Sequence, residues 1–408
     1  MMGILVLSGL EKGEIHVVHA CVSLRVCFDY SMKVPSLFQT LLGVLTVCSG
    51  SFSVSAEDGP EPWKQHQYAH DGLHVSPAHA EEGMRATFSL EAAGDYLDQG
   101  ASAWTRKRGC VSCHTNGSYL VARPSLTPFL GPPLSSMRLF FEEEIAALKD
   151  EDPHTLMQGI QPTQVVYIAA GLAEWDLHVS GNLSAETRTA LGLMFELQSQ
   201  DGSFGNVDCW PPLESSDYQS ATVAAMGALA APGWISSVER DQPELAGRFN
   251  LLMDHLRVTE PPHAYARVLL LRVSSHSKGL LASDTRDAVV ASIWSRQNTD
   301  GGWALRSFAR PEQWGDGSRA EKLHAEPDAE NPPSDGHMTG LAVLALVEAG
   351  IPRNDPRIMR ALHWIRTHQR LSGRWWTRSL NTDKYHFITY SGTCYPLQAL
   401  AACGQLAP

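Results

Sequence analysis

The chain has 408 residues, of which 44 are acidic and 32 basic, giving a formal net charge of −12. This charge argues against the clustered basic surface of a nucleic-acid-binding protein, so no nucleic-acid partner is expected. Hydrophobic residues make up 43% of the chain and charged residues 19%, a balance that excludes general disorder and predicts a large core. Eleven Trp and 33 Gly indicate many turns that are anchored by aromatic rings.

The N-terminal region has the features of an export signal that begins at Met32. Lys33 supplies a positive n-region, residues 38–47 supply an apolar stretch, and residues 54–56 form a small-residue cleavage site. We therefore expect residues 1–31 to precede the true start and residues 32–56 to be a signal peptide. The protein is then periplasmic or otherwise exported. The apolar stretch is too short for a membrane anchor, and no transmembrane span is expected in the mature chain.

Three segments share the pattern Gln-x-x-x-Gly-x-aromatic, each after a stretch with helical periodicity. The positions that define them are Gln198, Gly202 and Phe204, then Gln297, Gly301 and Trp303, then Gln369, Gly373 and Trp375. In this pattern the Gly ends a helix in a left-handed turn and the aromatic ring folds back over that turn. The Gln amide can then bind exposed backbone groups. Each copy is followed by a loop and then by a helix rich in small residues, which allow helices to pack closely.

The helical segments form six outer and inner pairs along the chain. The first, second and fourth pairs have predicted bounds for both helices: 90–105 and 119–130, 137–149 and 164–175, and 243–256 and 264–273. The predicted inner helices of the other three pairs are 219–230, 337–348 and 391–402. Six pairs are what an α/α toroid needs to close on itself, so we expect an all-α chain with a single toroid over residues 89–408. Residues 57–88 are expected to form an extended segment. An open α-solenoid is the alternative.

On its three repeated motifs the sequence resembles the squalene-cyclase and protein-prenyltransferase superfamily. The motifs cover residues 184–404, and the resemblance implies a six-hairpin α6/α6 barrel of the terpenoid cyclase type. The sequence lacks the Asp-x-Asp-Asp acid of the triterpene cyclases. The separated zinc ligands of the prenyltransferases have a weak counterpart in Asp208, Cys209 and His386, so zinc is not expected.

The pentapeptide Cys110-Val-Ser-Cys113-His114 is the attachment signature of a c-type haem. Two thiols at this spacing reach both vinyl groups of one porphyrin, and the imidazole of His114 then binds the iron. An exported protein has the compartment that haem c assembly requires. A disulfide or thiol redox site at Cys110 and Cys113 is the first alternative, and a zinc site is the second.

The haem motif lies in the loop between the two helices of the first pair, so it should share one rim of the toroid with the other outer-to-inner loops, 200–217, 303–336 and 371–389. A second axial ligand is expected from this rim. His337 and His386 are the first choices, Met338 and His263 the second, and an open five-coordinate iron is the alternative.

The remaining cysteines and the cavity aromatics receive weaker assignments. Cys394 and Cys403 lie nine residues apart on one helix and cannot pair with each other along it. The state of Cys209 is left open between a buried thiol and a disulfide. A modest aromatic lining of the central cavity is expected from Tyr218, Tyr265, Tyr390 and Tyr395.

Two functions of different classes follow from the sequence. The first is an exported c-type haem protein that transfers electrons to a redox partner protein or performs haem-dependent oxidoreductase chemistry on a small molecule in the toroid. The second is a non-redox toroid enzyme or binding module, a relative of terpenoid cyclases or polysaccharide lyases, with a Cys110–Cys113 disulfide. The residues alone do not decide between catalysis and binding in either case.

Overall fold

The computed structural model describes residues 68–207 and 210–407. The expected start codon and signal peptide fall in the first 67 residues, outside this described part. We number the helices of the barrel α1 to α12 in chain order, so that outer helices have odd numbers and inner helices have even numbers.

The outer helices each expose a polar face, whereas most residues of the inner helices are buried. The outer helices are α1 (Leu90–Arg108), α3 (Ser135–Leu148), α5 (Ala185–Glu196), α7 (Pro243–Val258), α9 (Ser283–Trp294) and α11 (Pro356–Thr367). The inner helices are α2 (Asn116–Ala122), α4 (Gln161–Trp175), α6 (Asp217–Ala230), α8 (Ala264–His276), α10 (Gly336–Glu348) and α12 (Ile388–Ala402). Short helices lie in the connections at Thr127–Leu130, Pro153–Leu156, Trp234–Asp241 and Ala320–His324.

The inner helices form a closed ring. Each inner helix contacts the next one along the chain, and α12 returns to contact α2. Each outer helix packs against the inner helix of the preceding pair, and α1 packs in this way on α12. The fold is therefore an all-α, α/α toroid of six helix pairs, which confirms the fold predicted from the helix count.

One predicted inner helix is shorter than expected. The structure ends α2 at Ala122, whereas the sequence pattern extended it to Leu130. Pro124 has no N–H to continue the helical ladder, so the chain instead forms a 3₁₀ turn at Pro124–Leu126 and then the helix Thr127–Leu130. In contrast, α6 begins two residues before its predicted start because the Ser216 side chain accepts a hydrogen bond from Gln219 N and caps it.

The three repeated motifs form the same turn, as predicted. The motif Gly has φ of +92° at Gly202, +96° at Gly301 and +95° at Gly373, a region that favours glycine. The indole Nε1 of Trp303 donates to Ile293 O at 2.8 Å, and that of Trp375 donates to Ile365 O at 2.7 Å. Each ring therefore folds back onto the helix that precedes its turn.

The motif Gln amide joins its own turn to the next outer helix. Gln198 Nε2 donates to Gly202 O and to Arg248 O of α7, both at 3.1 Å. Gln297 Nε2 donates in the same way to Gly301 O at 2.8 Å and to Arg357 O of α11 at 3.0 Å.

The third motif closes the ring. Gln369 Nε2 donates at 2.8 Å to Gly373 O and also to Ser89 O, which lies at the start of α1. Ser89 N in turn donates to Gln369 Oε1 at 2.7 Å. This reciprocal pair connects the last outer-to-inner turn of the chain to its first barrel helix.

The expected extended segment before α1 contains a small antiparallel hairpin, β1 (Tyr68–His70) and β2 (Leu73–Val75). The buried guanidinium of Arg374 fixes the segment to the third motif. It donates to Glu82 Oε2 at 2.7 Å and to Ser76 O and Pro77 O, both at 2.6 Å. A buried cation held by one carboxylate and two carbonyls needs all three partners to remain in place.

In the described part of the chain, no helix by itself has the length and hydropathy to cross a bilayer. The pair α6 and Trp234–Asp241 reaches that length together, with a bend of 88° between them.

Replacing Gly373 by Ala should destabilise the toroid far more than the same change at Gly279. A Cβ at Gly373 would lie 2.1 Å from Ala92 O of α1, whereas one at Gly279, also at positive φ, meets nothing within 4 Å. We expect Gly373→Ala to lower the free energy of unfolding by about 3–5 kcal/mol, and Gly279→Ala by about 1–2 kcal/mol. Urea unfolding curves of both variants measure this, and equal losses would contradict the proposed close approach of α1.

Candidate functional site

An aromatic cluster surrounds the haem motif at the rim where the outer-to-inner loops meet. It consists of Trp104, His114, Trp210, Tyr385 and Phe387. The His114 ring stacks on Phe387 with a centroid distance of 4.5 Å and an interplanar angle of 6°. It also lies 4.7 Å from Trp104 and 5.2 Å from Trp210. The contacts confirm that the motif shares its rim with loops 200–217 and 371–389.

The imidazole of His114 is held as a neutral ring. Its side chain is buried, and this burial, with a smaller effect of Arg108, lowers the pKa of His114 to about 3. Nδ1 lies 2.8 Å from the hydroxyl oxygen of Thr115, which fixes the ring plane. Burial of an imidazole favours its uncharged form.

The two cysteines of the motif are in different states. Cys110 is disulfide-bonded. Cys113, Cys394 and Cys403 are thiols, so the partner of Cys110 lies outside the described residues. The alternative of a Cys110–Cys113 disulfide is therefore wrong, and Cys113 Sγ instead lies 3.8 Å from Glu214 Oε2.

These residues, as arranged here, do not fit a covalently attached haem. A c-type haem needs thioether bonds from both motif sulfurs and an accessible imidazole nitrogen. One of the sulfurs is already part of a disulfide. The His114 ring is packed against Phe387 and two Trp rings, and its side chain is buried, so these aromatic side chains occupy the space around the imidazole. We therefore derive no chemical step through haem, and haem attachment stays a prediction of the sequence.

The first candidate for a second axial ligand, His337, is engaged elsewhere. It is fully buried at the start of α10, where Nε2 lies 3.0 Å from the Tyr265 hydroxyl and Nδ1 lies 2.8 Å from Ser391 Oγ. Burial lowers its pKa to about 3. With both ring nitrogens in hydrogen bonds, His337 connects α8, α10 and α12 at the rim.

The other candidate ligands also have structural partners. His386 Nδ1 accepts a hydrogen bond from Ser379 N at 3.1 Å, and its ring packs 4.5 Å from Trp376. Met338 is fully buried in the core, and His263 caps α8. Among the described residues no group of three His, Cys, Asp or Glu side chains is suited to a metal ion. Asp208 and Cys209 of the weak zinc set lie outside those residues.

A cavity lies inside the ring of inner helices, below the aromatic cluster. Its volume is about 90 Å³. Its walls are largely apolar and come from α2, α4, α6, α8 and α12, with Leu213 contributed by the loop after α5. The polar side chains that reach it include Tyr167, Gln219, Arg272, Cys394 and Tyr395.

A chain of polar contacts leads from the rim into this cavity. From Cys113 Sγ it passes to Glu214, a buried residue with φ of +50°. Glu214 N donates to Gln219 Oε1 at 2.8 Å, and Gln219 Nε2 donates to the Tyr167 hydroxyl at 3.3 Å. Burial raises the pKa of Tyr167 well above its ordinary value, so the phenol stays protonated.

Only part of this site is visible in the sequence. Of the four tyrosines expected to line the cavity, Tyr395 is among its lining residues, while the hydroxyl of Tyr218 donates outward to Leu256 O at 3.1 Å. Tyr167, Gln219 and Glu214 were missed. The sequence could have indicated Gln219, because this residue lies near the start of a predicted inner helix. It could not have indicated Tyr167, because the contacts of Tyr167 depend on the neighbouring helix.

No family model and no curated protein sequence matches the chain. Among solved structures, the chain is similar to one described as a glycosidase, with 12% identity and a TM-score of 0.46. That similarity covers 78% of this chain and 98% of the other. The toroid described above rests on the contacts within this chain.

Acid should destabilise the protein through its buried neutral histidines. The folded-state pKa is about 3 for His114, His337 and His386, below the ordinary value of 6.5, so the unfolded state takes up protons first. Their contribution is present above pH 6.5 and is lost as the pH falls towards 3. Each buried imidazole adds about 1 kcal/mol of lost stability per pH unit in that window.

Urea unfolding between pH 7 and pH 5 measures this slope. The variant His337→Gln should show a shallower slope than the unmodified chain, because one of the titrating groups is gone. His324→Gln is the control, since His324 is exposed and pairs with Glu312 at the surface. An unchanged slope in His337→Gln would show that His337 is protonated in the folded protein.

Proposed function

We propose that the chain is a non-redox toroid protein that binds a compact, mostly apolar small molecule with one or two hydroxyl groups in its central cavity. The observation that carries this proposal is the ring of inner helices, which encloses an apolar cavity with a few convergent polar side chains. Concave apolar sites with few placed polar groups are the usual form of small-molecule sites.

The chemistry of the lining favours a neutral ligand. The polar groups at the rim end of the cavity include the Tyr167 phenol, the Gln219 amide and the Cys394 thiol. Burial raises the pKa of both Tyr167 and Cys394, so each is uncharged at neutral pH. Neutral polar groups suit alcohol or carbonyl oxygens, whose removal from water costs far less than that of an ion.

Two charged side chains, Glu174 and Arg272, line the opposite end of the cavity, and Arg272 is paired within the protein. Arg272 forms a two-bond contact with Glu348, with Nε–Oε2 at 2.8 Å and Nη2–Oε1 at 3.0 Å. Although burial acts to raise the pKa of Glu348, Arg272 and His276 lower it to about 2, so the pair is ionised. Arg272 is thus compensated by a carboxylate, which leaves less of its charge for a ligand.

Covalent haem is the second candidate, and it rests on the Cys-x-x-Cys-His motif itself. The neutral state of His114 suits an iron ligand, while the disulfide at Cys110 opposes attachment.

Tyr167→Phe should weaken the binding of a hydroxylated ring compound without weakening that of its hydrocarbon. Phenol and cyclohexanol, compared with benzene and cyclohexane, are suitable probes in titration calorimetry or ligand-observed NMR. Loss of one neutral hydrogen bond should reduce affinity for the alcohols by about 5- to 10-fold. The hydrocarbons should bind equally well to both proteins, because the apolar walls are unchanged.

The matched control is Tyr218→Phe, which removes a buried phenol hydroxyl whose bond goes to Leu256 O outside the cavity. Equal loss of alcohol binding in both variants would point to a general effect on stability. If the unmodified chain binds neither alcohols nor hydrocarbons, the proposed cavity ligand class is wrong.

A haem-stained denaturing gel tests the second candidate. The full chain would be produced with a cytochrome c maturation system, beside the variants Cys113→Ser and Cys403→Ser, both of which alter a buried thiol. From the disulfide at Cys110 we expect no stained band at the mass of the chain. A stained band that Cys403→Ser keeps and Cys113→Ser weakens would overturn the non-redox proposal.

A further inference from the structure

A second pocket lies on the rim beside the start of α8, where the loop after α9 crosses it. Its volume is about 290 Å³, compared with about 90 Å³ for the central cavity. The ionisable side chains among its described lining residues are His263 and the three arginines Arg267, Arg296 and Arg310. A pocket lined by one sign of charge attracts ligands of the opposite sign.

Within the described ranges, the guanidinium of Arg296 has only neutral hydrogen-bond partners. Nε donates to Ser307 O at 3.0 Å, and Nη1 donates to Ser292 O at 2.8 Å and to Ser292 Oγ at 2.6 Å. Burial, with a further contribution from Arg267, lowers the pKa of Arg296. The neighbouring guanidinium groups thus repel each other, and an anion between them would relieve that repulsion.

Arg267 has a carboxylate partner, but at the solvent-exposed side. Its Nη2 lies 2.5 Å from Glu260 Oε1, and the Glu260 side chain is 80% exposed. An ion pair with one partner exposed to water contributes little to stability, and salt screens it. Arg267 therefore remains a source of positive charge for the pocket.

His263 supplies a buried donor with no partner among the described residues. Its side chain is only 4% exposed and its ring lines the pocket. Nδ1 accepts a hydrogen bond from Ala266 N at 3.1 Å and caps α8, while burial lowers the pKa of His263 to about 4. The neutral ring therefore carries its proton on Nε2, which has no hydrogen-bond partner there.

A buried N–H donor without an acceptor is costly, and natural proteins rarely keep one without a reason. Here the His263 residue lines the same pocket as three arginines and the first residue of α8, a helix of 13 residues. The N-terminus of a helix carries a partial positive charge and therefore favours the binding of anions. These independent features converge on one kind of ligand, a compact group with several acceptor oxygens and negative charge.

We propose that this pocket binds the phosphate or sulfate group of a small molecule through Arg267, Arg296, Arg310 and the Nε2–H of His263. The remaining volume of the pocket accommodates the rest of that molecule at the rim.

Titration calorimetry of the full mature chain tests this proposal with inorganic phosphate and sulfate as probes, against acetate and chloride at the same ionic strength. We expect saturable binding of phosphate or sulfate, and which of the two binds more tightly identifies the ligand class. Arg267→Gln should reduce this affinity by about 10-fold or more, the loss expected for a charge-assisted hydrogen bond.

His263→Asn is a second variant that separates binding from folding. Asn can cap α8 as His263 does, but it lacks the imidazole Nε2–H. We expect an affinity loss of about 5- to 10-fold, the value of one hydrogen bond, with the helical circular dichroism retained.

The matched control is Arg240→Gln, which breaks another exposed Arg–carboxylate pair, with Asp241, away from the pocket. It should bind phosphate or sulfate as the unmodified chain does. The proposal is overturned if chloride produces the same heat as phosphate and sulfate, if neither oxyanion binds saturably, or if all variants bind equally. The Tyr167→Phe experiment on the central cavity is unaffected by any of these outcomes.

Discussion

The toroid depends on one repeated interaction, the side-chain amide of a Gln that donates both of its hydrogens to backbone carbonyls. One acceptor lies in the tight turn that follows the Gln, and the other lies on the next outer helix. The motif Gly makes this possible, because a Cβ at Gly202 or Gly301 would collide with a carbonyl of that helix. In the third copy the second acceptor is Ser89 O, 280 residues earlier in the chain. The hydrogen bond that connects neighbouring outer helices therefore also closes the ring.

Closure of the outer layer forces the inner helices into close contact, and their small residues determine where space is left. A Cβ at Gly227 would lie 2.7 Å from Ala170 Cα, and one at Gly340 would lie 2.3 Å from Pro396 N. Because Gly340 has no side chain, α10 approaches α12 so closely that no cavity remains between these two helices. The cavity is therefore bounded by the other five inner helices. Beside this cavity lies the loop residue Glu214, with φ of +50°, whose N–H donates to the cavity-lining Gln219.

The elements that could be predicted from the sequence are those whose causes are local. Helical periodicity, capping residues and the repeated motif gave six helix pairs and the roles of Gln297 and Trp303, because each depends on residues within about one turn. The rim could be placed, since alternating helices bring their loops to one end. The partners of His114 could not be assigned, because Phe387 reaches it from the last loop of the chain and Trp210 from another.

The haem-like pentapeptide is held in its shape by polar contacts that do not involve sulfur. Asn116 Oδ1 accepts from Ser112 N at 2.8 Å, and its Nδ2 donates to Cys110 O at 3.0 Å. Ser118 Oγ donates to Cys113 O at 2.6 Å, and Gln164 Nε2 donates from α4 to Val111 O at 2.8 Å. Every residue from Cys110 to Cys113 thus has a backbone group fixed by a side chain from α2 or α4. The conformation of this loop is therefore tied to the two inner helices that flank it.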